Sequence, residues 1–272
     1  MLNYPQIDPV VFSLGPVTVY WYGVMYLAGF LLGGLLGLVR AGRSNSSWTP
    51  QQVWDLLFYV ALGVVLGGRF GYALFYNSAH YLQHPVSLLF IWKGGMSFHG
   101  GLLGVCVALY LYARRHQRVF LSVADFLAPL CALGLGAGRL GNFINQELWG
   151  RVSDAPWAMV FPAVGPPARH PSQLYEAGLE GLVLFAMVWI YSSRPRLPGR
   201  VSGLFLIGYA VFRFLIEFFR EPDAHLGFLL IDRFSMGQLL CGPMLLIGLW
   251  LLYRGRPNSG QQTARPLPGR QK

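Results

Sequence analysis

Charge is scarce in this sequence. Of its 272 residues only 12% are Asp, Glu, Lys or Arg, while 54% are hydrophobic. That profile leaves no soluble surface for a nucleic-acid footprint and no length for a large soluble module beside a membrane domain. Cysteine is equally sparse. Cys106, Cys131 and Cys241 all sit in apolar runs, and their spacing fits neither a zinc site nor a disulfide framework. They read as small buried apolar side chains. Residues 1–39 contain no Lys or Arg, so the basic start of a cleaved signal peptide is missing and the first helix is expected to be retained. Gly-rich phosphate loops, HExxH and GxSxG are absent. No interdomain linker or convincing internal repeat is visible.

What the sequence holds instead is apolar length. Runs long enough to span a bilayer, about 20 residues each, fall at roughly 17–39, 53–76, 95–112, 121–142, 172–191, 201–219 and 234–253. They predict an all-α polytopic integral membrane protein of about seven transmembrane helices. The 34 glycines fit that class, because neighbouring helices in a membrane restore the backbone pairing that Gly and Pro disturb. Small residues at Gly29-Gly33-Gly37, Gly63-Gly67 and Gly134-Gly138 are spaced for close helix approach. Basic residues collect in alternate connectors: Arg40 and Arg43; Arg114, Arg115 and Arg118; Arg194, Arg196 and Arg200; and the tail. Such loops stay cytoplasmic, which predicts a periplasmic N-terminus and a cytoplasmic C-terminus. The formal charge of +10 is then a topology signal plus an attraction to anionic lipid. Residues 1–253 are expected to form one transmembrane domain. Residues 254–272, polar and rich in Pro and Gly, are expected to be a disordered cytoplasmic tail.

With polar side chains so few, their placement is informative. Leu133–Arg151 reads LGLGAGRLGNFINQELWGR and carries Arg139, Asn142, Asn145, Gln146, Glu147 and Arg151. A charge near mid-bilayer costs about 2.5–3.5 kcal/mol on insertion scales. Arg139 is therefore expected to face a cavity, a partner or an anion, or else to snorkel and anchor a helix end. Snorkelling leaves the amides and the carboxylate unexplained. In Gly208–Arg220, GYAVFRFLIEFFR, the spacing stacks Tyr209, Arg213 and Glu217 on one helix face, with Arg220 three residues further on. One reading is a self-satisfied pair of Arg213 and Glu217. The other has Arg139 and Arg213, both toward the outer side, offering guanidinium forks to the phosphate of a headgroup.

His99 lies in Gly94–Gly101, GGMSFHGG, at the outer start of the third run. Its flanking glycines permit close approach or local unwinding, and histidine titrates near neutral pH. It is either a proton acceptor at a cavity or a structural interfacial residue. Trp21 and Tyr22 fit an aromatic belt, although Tyr22 could also line a cavity. Arg69 is another costly charge near a membrane boundary. Arg169–Gln173 reads as a loop entering a helix with Pro171 in its first turn, and Glu176 and Glu180 on that helix are candidates to balance an arginine. His80 and His84 have metal-ligand spacing, but Pro85 follows and no carboxylate is near, so no metal is expected.

Taken together these segments resemble a known family. MSFHGG, GRLGNFINQELWGR, RHPSQLYE and YAVFRFLIEFFREPD look like the motifs of bacterial prolipoprotein diacylglyceryl transferase, and the similarity runs from WYGVMY to SMGQLL. Gln146 stands where variation is expected. The resemblance implies a multi-pass enzyme of the bacterial inner membrane, with its site toward the periplasmic leaflet and no cofactor. It implies transfer of diacylglyceryl from phosphatidylglycerol to the lipobox cysteine thiol of a preprolipoprotein signal peptide. A thioether and glycerol 1-phosphate would result, as the first step of lipoprotein maturation. The expected partners are that lipid, that peptide and the bilayer, with no nucleic acid. The resemblance assigns catalysis to His99, Arg139 and Arg213, and lipid contact to the two arginines with Asn142 and Tyr22. Asn145, Glu147, Gly150, Tyr209, Glu217 and Arg220 would support them. By residue pattern alone, an anion transporter or a non-catalytic lipid-binding or assembly protein stays open.

Overall fold

The computed structural model describes residues 2–15, 17–44, 46–222, 228–230 and 234–254. The expected tail beyond Arg254, and Asp223 of the REPD motif, lie outside the described residues. The chain is mostly helical. Helix α1 spans Trp21–Ala41, α2 Pro50–Phe75, the short α3 Ser78–Gln83, α4 Phe98–Arg115 and α5 Phe120–Ile144. Helix α6 covers Ser172–Tyr191 and widens to a π-helix over Ala177–Val183. Helices α7 (Arg200–Ile216) and α8 (Met236–Tyr253) complete the bundle. Among the described residues five helices, α1, α2, α5, α6 and α8, are long and apolar enough to cross a membrane. Helix α4 has 18 residues and ends on Arg114 and Arg115, and α7 has 17 and carries Arg213; length and charge hold both below that measure. The architecture is that of a polytopic membrane protein.

Small two-stranded ribbons depart from the purely helical expectation. Strand β1 (Leu2–Asn3) pairs in parallel with β4 (Met159–Val160), β2 (Val10–Leu14) with β3 (Val17–Tyr20), and β5 (Phe228–Leu230) with β6 (Phe234–Ser235). The first apolar run therefore becomes helical only at Trp21. β-branched Thr18 and Val19 pair back onto Ser13 and Phe12, a conformation their stiff side chains favour. Elsewhere the helix starts are written locally. Thr49 with Gln52, and Ser235 with Gln238, form capping boxes at α2 and α8.

Small residues set the packing. A Cβ on Gly63 would stand 2.7 Å from the Gly104 carbonyl oxygen, and one on Gly71 would stand 2.6 Å from the Gly100 Cα. Helices α2 and α4 are thus in backbone contact. The basic connectors converge at one end of the bundle. Arg40 Nη1 donates to the Phe126 carbonyl at 2.9 Å, and the Arg43 guanidinium lies 4.9 Å from the Trp189 ring centre. The Asp125 carboxylate accepts from the Gly199 and Ser202 amides at 2.7 and 2.8 Å, capping the start of α7 with negative charge.

At the other end, Arg69 is a costly charge with a local solution. Its guanidinium donates to the carbonyls of Ser87, Leu88, Phe90, Gly94 and Gly95. Those carbonyls belong to a connector of short 3₁₀ turns before α4, which leave acceptors that regular helix would have used. Arg69 therefore orders the segment that leads to His99.

Candidate active site

Arg139, Arg213 and Arg220 meet three glutamates where α5, α6 and the end of α7 pack together. Arg139 Nε lies 3.3 Å from Glu176 Oε2, and its Nη2 lies 3.6 Å from Glu180 Oε2. Arg213 Nη1 lies 2.6 Å from Glu176 Oε1 and 3.7 Å from Glu180 Oε1. Arg213 Nη2 also donates to Glu217, which accepts from Arg220 Nη1 at 3.3 Å and from the Ser235 hydroxyl at 2.7 Å. Glu176 and Glu180 are fully buried, whereas the Arg139 side chain keeps 17% of its surface open. Tyr209 on α7 is close enough to Glu180, Arg213 and Arg139 to feel their charges.

Glycine makes the meeting possible. A Cβ on Gly181 would stand 2.7 Å from the Gly136 Cα, so α5 crosses the π-helical part of α6 at backbone contact. Arg139, three residues beyond Gly136, then reaches carboxylates on either side of that crossing. The partner demanded by a membrane-buried Arg139 is thus the glutamate pair of α6. Glu147, nearer in sequence, is occupied elsewhere. It accepts from Asn142 Nδ2 at 3.2 Å and from Asn145 Nδ2 at 3.4 Å. The local pair of Arg213 and Glu217 exists as one edge of a network joining four elements.

Tyr22 lies on the α1 side of this region. Its ring would meet a Cβ on Gly141 at 2.9 Å, its hydroxyl is 3.1 Å from that of Tyr26, and the charges of Glu147 and Arg139 reach it. The connector after α5 is drawn onto the same end. Gly150 N donates to the His170 carbonyl at 2.9 Å, and Arg151 N to the Phe219 carbonyl at 2.8 Å. A Cβ on Gly150 would approach the His170 and Phe219 carbonyl oxygens to 2.5 and 2.6 Å. Only glycine fits there, so the close approach of the connector depends on Gly150. Gln173, fully buried, donates to the Glu147 carbonyl at 2.6 Å, a contact sequence reasoning missed. Arg151 is also recruited, donating to the backbone carbonyls of Glu217 and Arg220.

A cleft of about 300 Å³ opens beside the network, lined by Trp157, His170, Tyr175, Leu179, Leu215 and Phe219. The Tyr175 hydroxyl accepts from Trp157 Nε1 at 2.7 Å and contacts His170 Nδ1 at 3.1 Å. Burial lowers the pKa of His170, which favours the neutral ring in this apolar wall.

His99 stands apart. It is exposed in the first turn of α4, with its ring edge-on to Phe98 at 5.6 Å, and it makes no hydrogen bond or ion pair among the described residues. The expectation of a depth shared with Arg139 and Arg213 does not bring it into their network. The reason is topological: α4 packs chiefly on α2, whereas the arginines meet through α6.

Comparison with known proteins gives one consistent result. The family model described as prolipoprotein diacylglyceryl transferase matches residues 9–254. A Legionella pneumophila (strain Lens) protein named phosphatidylglycerol–prolipoprotein diacylglyceryl transferase is 57% identical over 94% of this chain and 100% of its own length. Identically named proteins of Nitratidesulfovibrio vulgaris and Photobacterium profundum are each 58% identical. These cover 97% and 95% of this chain, and 100% and 98% of the relatives. With the match this long and this close, the chain belongs to the prolipoprotein diacylglyceryl transferase family.

Proposed function

We propose that the protein is a membrane transferase that moves the diacylglyceryl group of phosphatidylglycerol onto the cysteine thiol of a prolipoprotein. The observation that carries the chemical reading is the convergence of Arg139 and Arg213 inside an apolar bundle, with Arg139 partly open. In the reaction the bond between a glycerol carbon and a phosphate oxygen breaks as a sulfur–carbon bond forms. The bonding electron pair leaves with the phosphate as glycerol 1-phosphate, and the thiol proton passes to a base. Negative charge thus gathers on the departing phosphate, where fixed guanidinium groups stabilise it best in a partly dry site. The nucleophile arrives on the substrate, so no cysteine of the enzyme is needed. Cys241 is buried and Cys131 half-buried, as packing residues would be, whereas Cys106 lies exposed on α4 and not in the core the sequence suggested.

Each site residue then has a part. Arg139 and Arg213 hold the phosphate, with Asn142 and Tyr22 beside them. Asn145 and Glu147 orient the headgroup, Glu217, Tyr209 and Arg220 hold Arg213, and Gly150 lets the connector close on α7. The apolar cleft between α6 and α7 suits acyl chains. His99 takes the thiol proton, which requires the peptide to enter from the exposed start of α4. The acceptor is the lipobox cysteine of a preprolipoprotein signal peptide.

One assay tests both reaction and base. Purified protein, phosphatidylglycerol and a lipobox peptide should yield the thioether-linked peptide and glycerol 1-phosphate. His99→Gln should slow this about 10²–10⁴-fold. The defect should shrink as pH rises toward about 8.5, where a free thiol ionises unaided. A pH-independent defect would remove His99 from the role of base.

The setting is the bacterial inner membrane, with residues 1–253 acting as one seven-span catalytic unit whose site faces the periplasmic leaflet. The convergence of Arg40, Arg43, Asp125 and Gly199 at one end supports this arrangement, because basic ends stay cytoplasmic. Reporter fusions after Arg118 and after Arg200 should read as cytoplasmic, and one near Val164 as periplasmic. A cytoplasmic signal at Val164 would break the seven-span path.

A further inference from the structure

Glu180 is the least satisfied charge in the network. Its side chain is fully buried, yet neither carboxylate oxygen has a hydrogen bond. Its nearest cations, Arg139 Nη2 and Arg213 Nη1, stand at 3.6 and 3.7 Å. Glu176 by contrast accepts from Arg213 at 2.6 Å, and Glu217 accepts from Arg213, Arg220 and Ser235. The groups facing Glu180 are Arg139 from α5, Glu176 from its own helix, Tyr209 and Arg213 from α7, Arg220 beyond α7, and Cys241 from α8.

The guanidinium groups proposed to hold phosphate are therefore matched before any lipid arrives. Arg139 and Arg213 face Glu176 and Glu180, and Glu217 is shared between Arg213 and Arg220. A phosphodiester added to this set brings an uncompensated negative charge into a poorly hydrated space, which is unfavourable. Two like-charged groups at one site drive one of them to take a proton. The phosphodiester is too strong an acid to do so. Among the three carboxylates, Glu180 gives up no hydrogen bond when it is neutralised.

We infer that Glu180 is a proton-linked positioning residue, which takes one proton from solvent when the lipid phosphate engages Arg139 and Arg213, and so removes one of the negative charges those guanidinium groups face. The inference rests on the phosphate-binding reading of those arginines. It gives the enzyme a preference for an anionic headgroup that weakens as pH rises, because binding and protonation are linked.

The test is calorimetric titration of the purified full-length protein with short-chain phosphatidylglycerol, in two buffers of different ionisation enthalpy. Near neutral pH the unmodified protein should take up about one proton per lipid bound, and its affinity should fall by up to about tenfold per pH unit. Glu180→Gln should take up none and bind with little pH dependence. Binding by the unmodified protein without proton uptake, or uptake retained in Glu180→Gln, overturns the inference. Infrared difference spectra taken in H2O and D2O should show, on lipid binding, a protonated-carboxyl band that shifts down in D2O, as the lipid ester carbonyls do not, and that is missing in Glu180→Gln; its absence from the unmodified protein also overturns the inference. A lack of saturable binding, or unchanged binding by a folded Arg139→Lys protein, instead sinks the phosphate reading and the Glu180 role with it.

Discussion

Replacing Arg139 by alanine is expected to lower diacylglyceryl transfer by at least about 10²–10³-fold, the usual loss for one preorganised donor to a developing oxyanion. The guanidinium sits where α5 crosses α6, 3.3 Å from Glu176 and 3.6 Å from Glu180, with part of its surface open. Its removal takes away a phosphate donor and also leaves two fully buried carboxylates with less positive charge. Breaking a buried pair from one side costs about 3–5 kcal/mol, so thermal stability in detergent should fall as well. Arg139→Lys separates the two effects. An ammonium keeps the charge near the glutamates but cannot present two parallel donors to a phosphate. Its melting temperature should stay close to that of the parent protein while transfer stays low. Near-normal turnover by a folded Arg139→Ala protein would refute phosphate binding by this residue.

Arg213→Ala should be more damaging still. This side chain touches Glu176 at 2.6 Å, Glu180 at 3.7 Å and Glu217 just past the end of its own helix. Removing it strips one proposed phosphate clamp and leaves three buried carboxylates short of compensation. Transfer is expected to drop by about 10³-fold or more, and the folded protein to lose about 3–5 kcal/mol. Glu217→Gln is the informative contrast. An amide oxygen at 217 can still accept from Arg213, while the charge assistance is lost and the amide nitrogen no longer accepts from the Ser235 hydroxyl. Its transfer rate should fall no more than about tenfold. Equal loss in the two variants, with lipid binding intact in both, would favour an ion pair whose work is structural.

Much of the site was legible because some of it is local. Arg213, Glu217 and Arg220 share a helix face by spacing alone, and the structure places them in one chain of contacts. The amides after Arg139 were visible as polar groups that snorkelling would not explain, and Asn142 and Asn145 both hold Glu147. Arg139 itself read as a residue in need of a partner, with the glutamates of RHPSQLYE and beyond noted as candidates. Which of the options it took was beyond spacing. That depended on Gly136 and Gly181 meeting at backbone contact, and helix crossing points are not written in the period of either helix. The position of His99 outside the arginine network has the same origin. Its expected depth followed from topology, but depth says nothing about which neighbour a helix packs on, and α4 turned to α2.

By itself the sequence determined the class: apolar runs of spanning length, basic residues gathered in alternate connectors, and motifs specific enough to point to one family. Those are properties of single segments and of their order. The tertiary structure decided the pairings between segments. It set Arg139 against Glu176 and Glu180, gave Arg69 the carbonyls of Ser87–Gly95, and started α1 at Trp21 after Thr18 and Val19 had paired with Phe12 and Ser13. The physical reason is one of range. Helix period, capping and hydropathy act within a few residues along the chain, so they can be read in order. The state of a buried charge depends on what lies within about 4–6 Å of it, and in this bundle those neighbours come from helices far apart in sequence.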